Sequence, residues 1–159
     1  MGRDHSYMDE AFRSRRFDPT DRGTYVRDLV FVIMAFSDDM DRAYESIRDE
    51  CRKMGLTAKR ADDGVGSGII LREITDSIEK AELLICDLTH QRPNVYYELG
   101  YAHGVGNESS DILLIAREGT VLHFDIAPLR VQFYRDEQHL RTLVARNIPG
   151  MLQRSRQGL

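Results

Sequence analysis

Residues Leu83 to Val105 read LLICDLTHQRPNVYYELGYAHGV. Leu83, Leu84, Ile85 and Cys86 run without a polar break into Asp87, the pattern of a strand covered on both faces. A polar loop follows from Leu88 to Pro93. Asn94 then stands where a helix N-cap belongs, ahead of Val95-Tyr96-Tyr97-Glu98-Leu99. A covered strand that ends in an acid and feeds a helix is a unit of a parallel α/β sheet, and such sheets bind ligands off the carboxyl ends of their strands. Asp87 and Glu98 are both placed to face that crevice.

Upstream, the same unit occurs twice more. Leu29 to Met34 is a continuous apolar run rich in branched residues, read as a central strand. Ala35-Phe36-Ser37 turns the chain, and Ser37 or Asp38 caps a helix to about Met54, with Met40, Ala43, Ile47, Cys51 and Met54 on one apolar face. Gly55 closes it as a left-handed cap. Leu56 to Ala61 is a shorter, more polar strand, suited to an edge. The segment Asp62-Asp63-Gly64-Val65-Gly66-Ser67-Gly68 is a glycine-rich loop that lacks both the Walker spacing and GxGxxG. Such loops are more often turns than phosphate sites, and a backbone that approaches a phosphate is the second reading. A helix from about Ile69 to Lys80 leads back to Leu83. Successive βα units imply right-handed crossovers and a parallel sheet.

Downstream, the helix after Asn94 carries Gly100 and Gly104, each costing about 1 kcal/mol against Ala, which calls for close packing or room for a ligand. Asp111 to Ala116 is a fourth strand and Leu129 to Tyr134 a fifth. Between them, Asp125 in Phe124-Asp125-Ile126 reads as a turn cap. Glu137 to about Gln153 is a terminal helix, expected to break near Pro149-Gly150. The expected domain plan is a polar N-terminal arm over 1–27, one domain over 28–153 and a flexible tail over 154–159. The sheet order is 2-1-3-4-5, with helices on both faces and the switch point between the first and third strands.

The 159 residues suit one domain with a real core. A hydrophobic share of 42% and a charged share of 30% are ordinary for a globular protein. The net charge of −4 argues against a nucleic-acid partner. No apolar run is long enough to span a membrane, and no membrane partner is expected. Cys51 and Cys86 fall on predicted core faces without metal-ligand spacing, as in a reducing cytoplasm, so no metal is implied.

The chemistry centres on Glu98. Breaking the bond between a sugar and a base leaves an oxocarbenium-like transition state, and a carboxylate beside the anomeric carbon stabilises or captures it. A helix N-terminus favours the ionised form, though acids are common in first turns for structural reasons alone. Phe36 and Ser37 are candidates for holding a base or ribose, against a plain strand–helix connection. Arg60 and Asp62 end the second strand and can enter the crevice, or form a structural pair. Asp87 and Asn94 are placed to orient ribose hydroxyls. Tyr97 is a candidate for stacking on a base, although most tyrosines of such a helix belong to core or interface. His103 reads as a surface histidine.

The runs Asp87-Leu88-Thr89 and Pro93-Asn94-Val95-Tyr96-Tyr97-Glu98-Leu99-Gly100-Tyr101-Ala102-His103 resemble the signature of bacterial TIR-like proteins related to nucleoside 2-deoxyribosyltransferases. The resemblance covers roughly Val30 to Tyr134. Cys86, where alanine is more usual, and Arg92, where Asn is expected, depart from it. It implies a flavodoxin-like fold and a functional glutamate at Glu98. It further implies N-glycosidic cleavage of NAD as substrate, with no cofactor required, or cleavage or transfer on nucleosides or deoxynucleotides. A non-catalytic module that binds a nucleotide signal or assembles is the third implication. The partners expected are a small nucleotide and either a second copy of the chain or a sensor protein, in antiviral defence.

Overall fold

The computed structural model describes residues 26–61, 71–123 and 129–157. Asp62, the glycine-rich loop, Asp125 and residues 1–25 of the expected arm lie outside the described residues. Strand β1 (Val26–Ile33) enters through a bulge at its start and then buries Val30 to Ile33 completely. Helix α1 (Asp38–Lys53) follows, with Ser37 as its extended N-cap. It ends where Gly55, at φ 77°, lets Leu56 N–H reach the Cys51 carbonyl and Gly55 N–H reach that of Arg52. Strand β2 (Thr57–Arg60) and helix α2 (Leu71–Lys80) come next. Strand β3 (Ala81–Asp87) and helix α3 (Pro93–Gly104) then realise the segment from which the reading began. Strands β4 (Ile112–Arg117) and β5 (Val131–Tyr134) and helix α4 (Glu137–Gln157) complete the order.

The five strands form one sheet in the order β2-β1-β3-β4-β5, every pair parallel. This is the flavodoxin-like arrangement that the alternation of covered strands and amphipathic helices predicts. Side chains alternate between two cores, as the two-residue strand period requires. Val30, Val32, Leu83, Ile85, Leu113 and Ile115 pack with Met40, Ile47, Leu140 and Val144 of α1 and α4. Phe31, Ile33, Leu84, Cys86 and Leu114 pack with Ile78, Val95, Leu99 and Ala102 of α2 and α3. In register, Val32 lies beside both Arg60 and Ile85, Asp87 beside Ile115, and Arg117 beside Tyr134. The carboxyl ends of all five strands therefore share one edge.

The terminal helix corrects an expectation. It neither breaks at Pro149 nor leaves a loose tail after Gln153, but runs on to Gln157 with Pro149 inside it. Ile148 and Met151, on either side of the proline, are buried against α1, so tertiary packing outweighs the lost backbone bond. The last turn is held by Arg156. Its Nε donates to Glu82 Oε1 at 2.7 Å, and one terminal nitrogen donates to Glu82 Oε2 at 2.9 Å and to Asp28 Oδ1 at 2.7 Å. Glu82 also accepts the Asp28 N–H at 2.8 Å, where the β1 bulge turns Asp28 to φ 66°. No described helix is long and apolar enough to cross a membrane.

Candidate functional site

Helix α3 starts two residues earlier than its sequence suggested. Pro93 is the first helical residue and Arg92 the N-cap, so Asn94 lies in the first turn instead of capping it. Proline favours that first position because its missing N–H is not needed there and its φ is already helical. The consequence is a spacing: Asn94 and Glu98 are four apart and stack on one helical face. The Asn94 side chain lies close enough to Glu98 to favour its ionised form. Glu98 is 7% exposed, next to Leu99 and Val95 in the α2/α3 core and near enough to Cys86 for its charge to oppose thiol ionisation. Among the described residues no cation pairs with it. Burial pushes its carboxyl up to about 7, with the Asn94 side chain pulling the other way. Cys86 itself, wholly buried beside two carboxyl groups, is pushed far above the ordinary thiol range and is no nucleophile.

Asp87 occupies the other face of the same strand end. It is 1% exposed and fully engaged. Oδ1 accepts the Thr89 N–H at 3.0 Å and the Thr89 hydroxyl at 2.5 Å, while Oδ2 accepts the Tyr134 hydroxyl at 2.6 Å. Tyr134 belongs to the α1/α4 core, so Asp87 points to that side and Glu98 approaches from the opposite one. Burial raises the Asp87 pKa, and the bonds from Thr89 and Tyr134 oppose the rise. Thr89 Oγ1 in turn accepts the Arg117 N–H at 3.0 Å, tying the β3 exit to the end of β4.

A third carboxylate, Asp39 in the first turn of α1, is the hub of the rim at the carboxyl edge. Ser37 Oγ donates to Oδ1 at 2.5 Å. His90 Nε2 lies 2.8 Å from Oδ2 and Arg117 donates to the same oxygen at 3.1 Å. A carboxylate only accepts, so the His90 proton is on Nε2. These bonds hold the Asp39 carboxyl far below its usual range, those from Ser37 and His90 first. Beside it, Arg60 is buried between two rings, 5.1 Å from the Phe36 centroid and 4.5 Å from that of Tyr44, and donates to Asp41 at 2.8 Å. The other ring face leaves Phe36 49% exposed.

Of the residues singled out from sequence, Phe36, Ser37, Arg60 and Asp87 lie along the carboxyl edge toward the α1/α4 side, and Glu98 and Asn94 toward the α2/α3 side. Tyr97 is turned outward and is 53% exposed. Its neighbour Tyr96 faces inward instead, donating to Gln91 Oε1 at 2.8 Å and meeting His123 edge-on with ring centres 5.2 Å apart. The residues missed from sequence are Asp39, Thr89, His90, Arg117 and Tyr134, which meet across separations of up to 78 positions. Of the two explanations for Gly100 and Gly104, close packing or room, the described residues leave open space where a Cβ would stand. The depression lined by Asp49, Arg52, Lys53 and Arg141 is at the far end of α1, where Asp49 pairs with Arg52 and Arg141, and Lys53 with Glu50.

No protein-family model and no curated protein matches the sequence. Among solved structures, the fold is similar to a Clostridium botulinum CMP N-glycosidase, BcmB, at TM-score 0.57 and 19% identity over 72% of this chain and 96% of that one. It is also similar to diflavin flavoprotein A3 from Nostoc sp., at TM-score 0.51 and 14% identity over 82% and 95%. A flavo di-iron protein from Thermotoga maritima gives TM-score 0.57 and 17% identity over 84% of this chain and 37% of that chain. Identities this low establish a shared fold.

Proposed function

We propose that the chain cleaves the N-glycosidic bond of a nucleotide, with Glu98 as the carboxylate that stabilises or captures the ribosyl cation. The observation that carries this reading is the state of Glu98: buried, without a cationic partner among the described residues, in the helix that follows the carboxyl end of β3, and pushed up to about 7. A carboxyl group held like that opposes folding, and such perturbed groups gather where chemistry needs them. The fold shared with a CMP N-glycosidase and the TIR-like and deoxyribosyltransferase-like signature around Glu98 both support it.

In the finer reading the substrate is NAD. The C1′–N bond breaks, its electron pair leaves with nicotinamide and neutralises the pyridinium, and water adds to C1′ and loses a proton. No general acid is needed. The pyridinium charge favours ionised Glu98, so binding drives off the proton that burial retains. Phe36 would hold the base side and Asn94 would keep Glu98 aligned. The second reading, hydrolysis of a pyrimidine or deoxynucleotide, is favoured by the CMP N-glycosidase likeness. There the leaving base must be protonated, and a carboxyl near 7 can supply that proton.

The test is base release from NAD, CMP and deoxynucleosides, followed chromatographically. Glu98→Gln should lower release by at least about 100-fold with the circular dichroism spectrum intact. Full activity in that variant, or no release from any substrate, refutes the proposal. The latter outcome, with ligand-induced thermal stabilisation, would indicate a binding module.

A further inference from the structure

Two of the three donors around Asp39 come from outside its own helix, and the third is that helix's N-cap. Ser37 Oγ, His90 Nε2 and Arg117 come from the β1 exit, the β3 exit and the end of β4, and converge on one carboxylate at 2.5, 2.8 and 3.1 Å. A hydroxyl, an imidazole N–H and a guanidinium around one anion make a donor set suited to a phosphate monoester. The set is rigidly based. Arg117 is anchored through its own N–H to Thr89 and lies with its guanidinium carbon 5.9 Å from the Tyr134 ring centre. The occupant is not. The Asp39 side chain is 31% exposed, and no described backbone N–H holds it. Swinging out returns it to water beside the first turn of α1, where a carboxylate is favoured anyway. Of its acidic neighbours in that turn, Asp41 is engaged by Arg60, and Asp38 is exposed on the rim.

We infer that Ser37, His90 and Arg117 form the phosphate site for the nucleotide substrate, and that Asp39 occupies it as an internal stand-in until the phosphate displaces it. This rests on the N-glycosidic reading and deepens it: the preferred substrate carries a phosphate, and a free nucleoside leaves Asp39 in place. Ser37 then serves the phosphate and not the base. The bridge also ties the loops flanking the switch point, so the same exchange frees the β1 exit from the β3 exit.

Calorimetric titration tests this in the full chain carrying Glu98→Gln, so that turnover is suppressed. The probes are inorganic phosphate, AMP against adenosine, and CMP against cytidine. Removing the competing charge with Asp39→Asn should tighten inorganic phosphate and both monophosphates about tenfold, and leave the nucleosides within about twofold. Arg117→Gln should weaken the monophosphates about tenfold without moving the nucleosides. If Asp39→Asn fails to fold, Arg117→Gln and His90→Gln still decide in the parent background. Unchanged phosphate affinity in Asp39→Asn, equal monophosphate and nucleoside binding, or no phosphate binding at all overturns the site. The two readings fail separately: no base release from any substrate by the unsubstituted chain removes the reaction and leaves the site, whereas equal binding of monophosphates and nucleosides removes the site alone.

Discussion

Glu98 is a carboxyl group taken out of water with, among the described residues, an amide and no cation beside it. Its pKa rises from 4.5 to about 7, so the native state holds its proton through that window while the unfolded chain releases it. Stability therefore falls as pH rises from about 4.5 to 7, by up to about 3 kcal/mol. Glu98→Gln should raise the urea midpoint at pH 8 and leave it nearly unchanged at pH 4.5. Activity that needs the carboxylate should climb with pH through about 7, in the direction opposite to stability, which a pH–rate profile beside a pH–stability profile would display. Asp87 differs in kind, because its oxygens are fully engaged by donors. Tyr134→Phe should lower stability by about 1.5–3 kcal/mol in denaturant titration, the worth of a hydrogen bond to a charged acceptor. At this scale Glu98 was legible because the residues that present it are contiguous in the chain. The Asp39 hub was not, because His90 and Arg117 reach it from 51 and 78 positions away and neither loop carries a local pattern that betrays the meeting.

Helices and strands were legible where hydrophobic period and chain punctuation agreed, as in α1 with its Gly55 cap. They were misread where two local signals competed. Asn94 was given the cap that Pro93 moves to Arg92, and Pro149 was given a break that burial of Ile148 and Met151 overrides. Gly100 tests the same balance from the other side. A methyl group there meets open space, so Gly100→Ala should stabilise α3 by about 0.5–1 kcal/mol in thermal or urea unfolding. A loss of stability would mean that another surface packs against that turn. The end of α4 depends on one side chain. Arg156→Ala leaves Glu82, 8% exposed, without its cation and should cost about 1–3 kcal/mol. Amide exchange in residues 150–157 should quicken first.

Across the molecule, the sheet order followed from unbroken apolar runs joined by helical crossovers, since handedness and burial leave few alternatives. The division of the edge between two faces did not follow. Strand alternation turns Asp87 to the α1/α4 side, and the packing of α3 on the other face brings Glu98 to the opposite one, so the edge carries an engaged polar lattice on one flank and, among the described residues, a carboxyl without a cation on the other. A ligand that binds there should slow hydrogen exchange in residues 34–41, 88–92 and 112–117, and leave the opposite edge near Asp28 and Glu82 unaffected.

That opposite edge has a consequence for synthesis. Arg156 reaches back 128 positions to Asp28, at the bulge that admits the first strand. A ribosome releases Asp28 long before Arg156, so β1 spends most of translation without the side chain that secures its entry. The clasp is a late, non-local closure, and its formation should lag the rest of the sheet in a refolding experiment. Nascent chains stalled with residue 156 still inside the exit tunnel should be cut by protease near the bulge, and the cleavage should stop once that arginine emerges.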